Sequence, residues 1–222
     1  QMRKTFSKYV SKDVLEEILK NPEMVKLGGE EKEITVFFSD IRGFTTISEK
    51  TTPKELVRIL NEYFTSMSEE VLNHKGVLDK YIGDAIMAFW GAPIEDPDQA
   101  DNALRASIMM MQKLKILNEK LKKNGDPEIN IGIGLYTGPA IVGNIGSEMR
   151  FDYTVIGDTV NVASRLEGLN KEFKTNIIIG ESTKNKLRGA YSFKPLGSVS
   201  VKGRKELLNI YTVDGEIKNT LQ

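Results

Sequence analysis

Apolar positions along the chain follow two spacings. Residues 33–39 (EITVFFS) are a short apolar, β-branched run, which predicts a buried strand. From Pro53 onward, Leu56, Leu60, Tyr63, Phe64, Met67, Val71 and Leu72 recur at helical spacing, while Lys54, Glu55, Arg58, Glu62 and Glu69 fall mostly elsewhere. That stripe predicts a long amphipathic helix stopped by Gly76. Val77–Ile82 and Ala85–Trp90 read as two strands joined tightly at Gly83-Asp84, a hairpin. A second long helix is expected over residues 97–123, with Ala103, Leu104, Ile108, Met111, Leu114 and Leu121 as its buried stripe.

Residues 130–137 and 140–145 are strand-like and glycine-punctuated, and 146–149 reads as a turn into a strand over 151–156. A helix over 159–169, a strand over 176–179, a short helix over 182–187 and strands ending at Val213 complete the pattern. Upstream, residues 5–24 read as one or two short helices, with Ser11 as N-cap and Pro22 as stop, and Gly28-Gly29 breaks the chain. Strand, helix, hairpin, helix, strand is the βαββαβ order. It predicts an α+β fold with a ferredoxin-like core, helices on one face of an antiparallel sheet, and extra C-terminal strands and helices. The expected division is an N-terminal linker over 1–29 and one domain over 30–222.

Composition narrows the function. Among 222 residues, 31 Lys and Arg balance 31 Asp and Glu, which argues against attachment to nucleic acid or an anionic membrane by bulk charge. With 40% hydrophobic and 28% charged residues the chain can fill a core. The absence of Cys excludes disulfides, thiolate metal sites and a Cys nucleophile. The longest apolar run, residues 85–94, falls short of the roughly 20 residues of a membrane helix. The start has no apolar stretch of the signal-peptide kind. The expectation is a soluble domain of a reducing compartment, and Gln1 ahead of Met2 points to a chain cut from something longer.

Candidate chemistry gathers at four places. Asp40 follows the first apolar strand and Asp84 sits at the hairpin tip, so the two carboxylates can face one point. Carboxylate oxygens suit Mg²⁺, which takes one or two of them and completes its shell with water and phosphate. The structural alternative makes Asp40 a cap and Asp84 an ordinary turn residue. Residues 41–46 (IRGFTT) form a Gly-containing turn opening towards a helix, able to aim backbone N–H groups at a phosphate, although no GKS or GKT makes it a Walker loop. Asn161 and Arg165, four apart on a predicted helix, share a face that suits a phosphoryl group or simply solvent. His74 is the only histidine, which disfavours His-based catalysis.

The segments FSDIRGFT, LDKYIGDAIMAFWG, GLYTGPAIVGNIG and YTVIGDTVNVASRLE, in this order, resemble the class III nucleotidyl cyclase catalytic domain. The resemblance runs from about residue 30 to the C-terminus and is carried by the combination of motifs. It implies two divalent metal ions, Mg or Mn, held by Asp40, Asp84 and the Ile41 carbonyl. Gly43, Phe44 and Thr45 would hold the terminal phosphates, Asn161 would orient the ribose and Arg165 would stabilise the charged transition state. Lys202 would bind the triphosphate, although V-K-G alone is a weak signal.

Base selection is implied at Lys80 and Thr154. An ammonium donates to adenine N1, and a hydroxyl oxygen accepts from the exocyclic amine. Members of the family acting on GTP usually carry an acidic residue at the Lys80 position. Thr154 departs from the Asp of many adenylyl cyclases and is similar to a bacterial subgroup.

The resemblance further implies a head-to-tail homodimer with two shared sites. Each would take Asp40 and Asp84 from one copy and Lys80, Thr154, Asn161, Arg165 and Lys202 from the other. The activity so implied is adenylyl cyclase, converting ATP to 3′,5′-cyclic AMP and pyrophosphate. A guanylyl cyclase and a non-catalytic nucleotide-binding regulatory domain remain the alternatives. The N-terminal piece resembles a signal-transducing linker, implying that an upstream sensor or membrane region was removed and that the domain is cytoplasmic.

Overall fold

The computed structural model describes residues 15–16, 19–21, 27–201 and 203–216. Most of the helix expected over 5–24 therefore lies outside the described residues, as does Lys202; residues 15, 16, 19 and 20 are helical. In chain order the elements are β1 (Gly28–Ile41), α1 (Phe44–Lys50), α2 (Pro53–Asn73), β2 (Val77–Ile82), β3 (Ala85–Trp90), α3 (Gln99–Lys123) and β4 (Ile131–Ser147). They continue as β5 (Arg150–Ile156), α4 (Asp158–Phe173), β6 (Ile177–Gly180), α5 (Glu181–Lys186), β7 (Tyr191–Val199) and β8 (Leu208–Glu216).

The sheet runs β2-β3-β1-β4-β6-β8-β7, with β5 paired to β4. Its first four strands are the ferredoxin-like core, paired antiparallel with one another. Local chemistry sets the ends of its helices. The Thr52 side chain accepts from the Glu55 amide and the Glu55 side chain accepts from the Thr52 amide, a reciprocal cap completed by Pro53 in the first turn of α2. At the first turn of α3, buried Asp101 accepts from the Arg188 and Gly189 amides and the Tyr191 hydroxyl, tying the α5–β7 connection to that helix.

Side chains alternate across the sheet into two cores. One joins Phe37, Trp90, Ile133 and Leu135 to Tyr63 and Met67 of α2 and to Leu104 and Met110 of α3. The other joins Ile34, Val36, Val142 and Ile178 to Val162, Ala163, Leu166 and Leu169 of α4. The expected one-sided helix layer thus holds for α2 and α3, while α4 covers the opposite face. The central strands carry apolar residues on both faces, and a second layer has to bury the other one. The crossover through β5 and α4 also makes β6 parallel to β4, an exception to the antiparallel plan.

Two further expectations change. Gly28-Gly29 begins β1 rather than breaking the chain, because residues 28–33 pair with β4 from Asn144 back to Pro139. Those residues are mostly exposed and polar, which hides them from an apolar-run criterion. Residues 130–137 and 140–145 are likewise one strand, continuous through Gly138 and Pro139. Gly134 is where α4 comes nearest the sheet: a Cβ there would lie 2.3 Å from the Glu167 amide nitrogen and 2.5 Å from the Ala163 carbonyl oxygen.

Candidate active site

Strand pairing brings the two carboxylates together. Asp40 is the penultimate residue of β1, and Asp84 fills the second position of the two-residue turn between β2 and β3. Gly83 takes φ +62° at the first position, where a side chain would be strained. Asp84 Oδ2 accepts a hydrogen bond from the Ile41 amide at 2.9 Å, which latches the hairpin tip to the end of β1. Burial, a hydrogen bond shared with Asp84 and the Asp84 charge push the Asp40 carboxyl up to about 7. Glu167 of α4 lies beside the pair, and burial raises its carboxyl as well. Two acidic side chains held at one point form an all-oxygen, hard donor set that suits Mg²⁺ or Mn²⁺, with the buried Ile41 as the neighbouring backbone.

The phosphate turn follows at once. Gly43 adopts φ +65° and caps α1, so Phe44 and Thr45 occupy its first turn, where backbone N–H groups have no acceptor within the helix. Arg42 anchors this turn from behind: its amide donates to the Asn130 carbonyl at 2.8 Å and its guanidinium to the Thr175 carbonyl.

Lys80 and Thr154 meet through a residue the sequence reading passed over. Asp79 is the extra residue of a bulge in β2. Its side chain is fully buried while that of Lys80 is 42% exposed. Thr154, on β5, donates to Asp79 Oδ2 at 2.5 Å, and the Lys80 ammonium stands 3.6 Å from Oδ1. Burial raises the Asp79 carboxyl, opposed by the Thr154 hydroxyl and the Lys80 charge. Exposed Lys80 and buried Thr154 therefore share one carboxylate.

Asn161 and Arg165 share the outer face of α4 and both are exposed. Arg165 reaches Glu172 at 3.8 Å. Glu167, two residues on and so about 200° around the helix, lies on the side towards Asp40, with Lys171 one turn further. Arg165 thus points away from the carboxylates of its own chain. Near Lys202, Arg204 binds Asp158 at 2.7 Å and the Tyr136 hydroxyl at 2.7 Å, which fixes its loop against the start of α4.

Three contributors escaped the sequence reading. Asp79 stood inside the quoted LDKYIGD segment, and its signal was an acidic residue within an otherwise apolar strand start. Glu167 ended the quoted YTVIGDTVNVASRLE segment, with no signal of its own beyond a place on the predicted helix. Tyr63 was read as part of a helical stripe, correctly, but its hydroxyl also lies under the carboxylates, and burial pushes that phenol up. His74, the only histidine, caps the C-terminus of α2, Met110 is core filling and Asp101 anchors a loop.

Residues 29–215 match the family model described as "Adenylate and Guanylate cyclase catalytic domain". "Adenylate cyclase 1" of Rhizobium meliloti (strain 1021) is 37% identical over 214 residues, covering 96% of this chain and 32% of the relative. "Adenylate cyclase" of Anabaena cylindrica is 43% identical over 189 residues, covering 82% of this chain and 37% of the relative. This chain therefore spans about a third of the length of these curated relatives. Among solved structures, the adenylyl cyclase CyaB from P. aeruginosa superposes with a TM-score of 0.80 at 35% identity, covering 86% of this chain and 98% of that one. The guanylyl cyclase Cya2 superposes with a TM-score of 0.78 at 34% identity, covering 88% and 98%.

Proposed function

Since the chain belongs to the adenylate and guanylate cyclase catalytic domain family, we propose that it is an adenylyl cyclase that closes ATP to 3′,5′-cyclic AMP. The ribose 3′-oxygen attacks the α-phosphorus, the bond to the β-phosphate oxygen breaks and pyrophosphate leaves. The 3′-hydroxyl proton passes to water or to a substrate phosphate. The observation that carries the ATP reading is the juxtaposition of Lys80 and Thr154 on one carboxylate. An ammonium donates to adenine N1 beside a hydroxyl oxygen that accepts from the exocyclic amine, whereas guanine offers a donor at N1.

Asp40, Asp84 and the Ile41 carbonyl are the residues that would hold two divalent cations, whose chemistry is Lewis acidity at the α-phosphate and charge neutralisation at the β- and γ-phosphates. The Phe44 and Thr45 amides bind the terminal phosphates. Asn161 orients the ribose and Arg165 places positive charge where negative charge develops. Lys202 adds a contact to the triphosphate.

The orientation of Arg165 away from Asp40 supports a site completed by a second copy. One protomer contributes Asp40 and Asp84; its partner contributes the base pocket and the outer face of α4. A head-to-tail pair of identical chains repeats that arrangement twice.

Purified chain incubated with ATP or GTP, and Mg²⁺ or Mn²⁺, tests the reading by quantifying cyclic nucleotide. Cyclic AMP from ATP in excess of cyclic GTP product is expected. A preference for GTP would favour the guanylyl alternative, and no product from either would favour a regulatory domain.

A further inference from the structure

A lone hydroxyl is a poor discriminator of bases. It carries one proton and two lone pairs, and by rotating it can accept from an amine or donate to a carbonyl. Thr154 is not free to do so. It is buried, and its hydroxyl stands 2.5 Å from Asp79 Oδ2, within the range of an O–H···O⁻ bond, with the proton pointing to the carboxylate. Only its lone pairs then face outward. The other Asp79 oxygen is buried without a hydrogen-bond partner and lies 3.6 Å from the Lys80 ammonium, so the same carboxylate steadies the cation. A bulge in β2 is what turns Asp79 towards β5.

We propose that Asp79 is the positioning residue for purine selectivity, fixing Thr154 as an obligate acceptor and holding Lys80 beside it as an obligate donor. This rests on the adenylyl cyclase reading above. The fixed pair matches the amine and N1 of adenine. It faces the O6 of hypoxanthine or guanine with lone pairs against lone pairs, an arrangement that costs more than a missing bond because the hydroxyl cannot turn.

The test compares three triphosphates whose bases differ only at the relevant edge: ATP, purine riboside triphosphate (the adenine ring without its amine) and inosine triphosphate. In the wild-type protein the amine should be worth about 3–10-fold in kcat/KM, ATP over purine riboside triphosphate, the scale of one neutral hydrogen bond. Asp79→Ala should lower that ratio without abolishing it, since the freed hydroxyl still accepts from the amine. It should improve inosine triphosphate relative to ATP by about 3–10-fold, since the hydroxyl can then donate to O6. Loss of Lys80 steadying lowers ATP and purine riboside triphosphate together and cancels in the ratio. A merely structural loss would also lower both equally.

Thr154→Val removes the acceptor and should bring the ratio of ATP to purine riboside triphosphate close to one, and adding Asp79→Ala to it should change that ratio no further. Asp79→Leu, which fills a similar volume without an acceptor, repeats the comparison if the alanine variant does not fold. A folded Asp79→Ala or Asp79→Leu protein that keeps the full wild-type preference for ATP over inosine triphosphate overturns the proposal. Competition of the same three nucleotides against a fluorescent ATP analogue reads the preference without turnover. A wild-type protein that binds with this preference but forms no cyclic product would overturn the cyclase reading alone.

Discussion

The Ile41 amide and the Asp84 carboxylate are joined across the sheet at 2.9 Å, a backbone-to-side-chain bond that sets the hairpin tip against the end of β1 and Asp84 against Asp40. Asp84→Asn keeps an oxygen that can accept the Ile41 bond and removes the charge facing Asp40. Its expected effect on the metal-free protein is stabilisation by about 1 kcal/mol, after allowing for solvent screening of a half-exposed group. In a thermal melt at pH 8 that is a rise of about 2–4 °C. Cyclase turnover should fall by at least about 10²-fold, the scale of losing one element of transition-state charge stabilisation. A variant less stable than wild type would remove the claim that the two carboxylates oppose each other.

Burial, together with the facing Asp84 carboxylate, sets a pH dependence. Asp40 has an ordinary value of 3.8 and is pushed up to about 7 in the folded chain. The folded state therefore holds its proton more tightly than the unfolded state. This contribution favours folding at low pH and is lost as pH rises from about 4 through 7. Metal-free protein should thus lose stability between pH 5 and pH 8, on top of any other titrations, and Asp40→Asn should flatten that slope. Saturating Mg²⁺ or Mn²⁺ should raise the melting temperature more at pH 8 than at pH 5. Parallel slopes for wild type and Asp40→Asn would contradict the assignment.

Much of this arrangement is legible in the sequence because single strands and single turns carry it. The Asp40 and Asp84 carboxylates meet because one ends a buried strand and the other tips a two-residue hairpin, both visible as pattern. Gly43 at positive φ ahead of α1 is legible for the same reason. The second layer formed by α4 is not, since helical periodicity says that a helix is amphipathic but not which face of the sheet it covers. Asp79 is hidden more deeply. Its partner Thr154 lies 75 residues away, and a bulge, which has no signature in this segment, turns it inward.

Asp101 separates stability from chemistry. It is buried and accepts from two amides and a tyrosine hydroxyl at 2.8–2.9 Å. Asp101→Ala leaves three donors without that partner, each costing about 1–3 kcal/mol where water cannot replace it. A loss of about 3–5 kcal/mol is expected in urea unfolding, allowing for partial rehydration of the Arg188–Gly189 turn. Protein that remains folded at low temperature should keep its preference for ATP over GTP, because Asp101 touches none of the proposed site residues.

Gly134→Ala tests the seat of α4. The added methyl would meet backbone atoms of Glu167 and Ala163 at 2.3 and 2.5 Å, far inside van der Waals contact, and backbone cannot rotate aside. The helix has to lift from β4 and carry Asn161 and Arg165 with it. A destabilisation of about 1–3 kcal/mol is expected, together with a loss of turnover larger than the loss of folded protein. Circular dichroism and cyclic AMP formation on the same sample separate the two.

The division of the site between two copies gives the last prediction. Arg165 pairs with Glu172 on the outer face of α4, away from Asp40 of its own chain, because Glu167, about 200° around α4, occupies the side towards Asp40. Asp40→Ala and Arg165→Ala should each abolish turnover when purified alone, since every site in either homodimer lacks one group. Mixed and allowed to exchange, half the dimers should be heterodimers. In each of these, one site collects both lesions and the other collects none. Recovery should therefore approach about a quarter of wild-type activity at equal total protein, and it should vanish when Asp40→Ala is mixed with Asp84→Ala, which fall in the same half of the site. Absence of recovery in the first mixture, with heterodimers demonstrated by differential tagging, would place Asp40 and Arg165 in one protomer's site and remove the shared-site proposal.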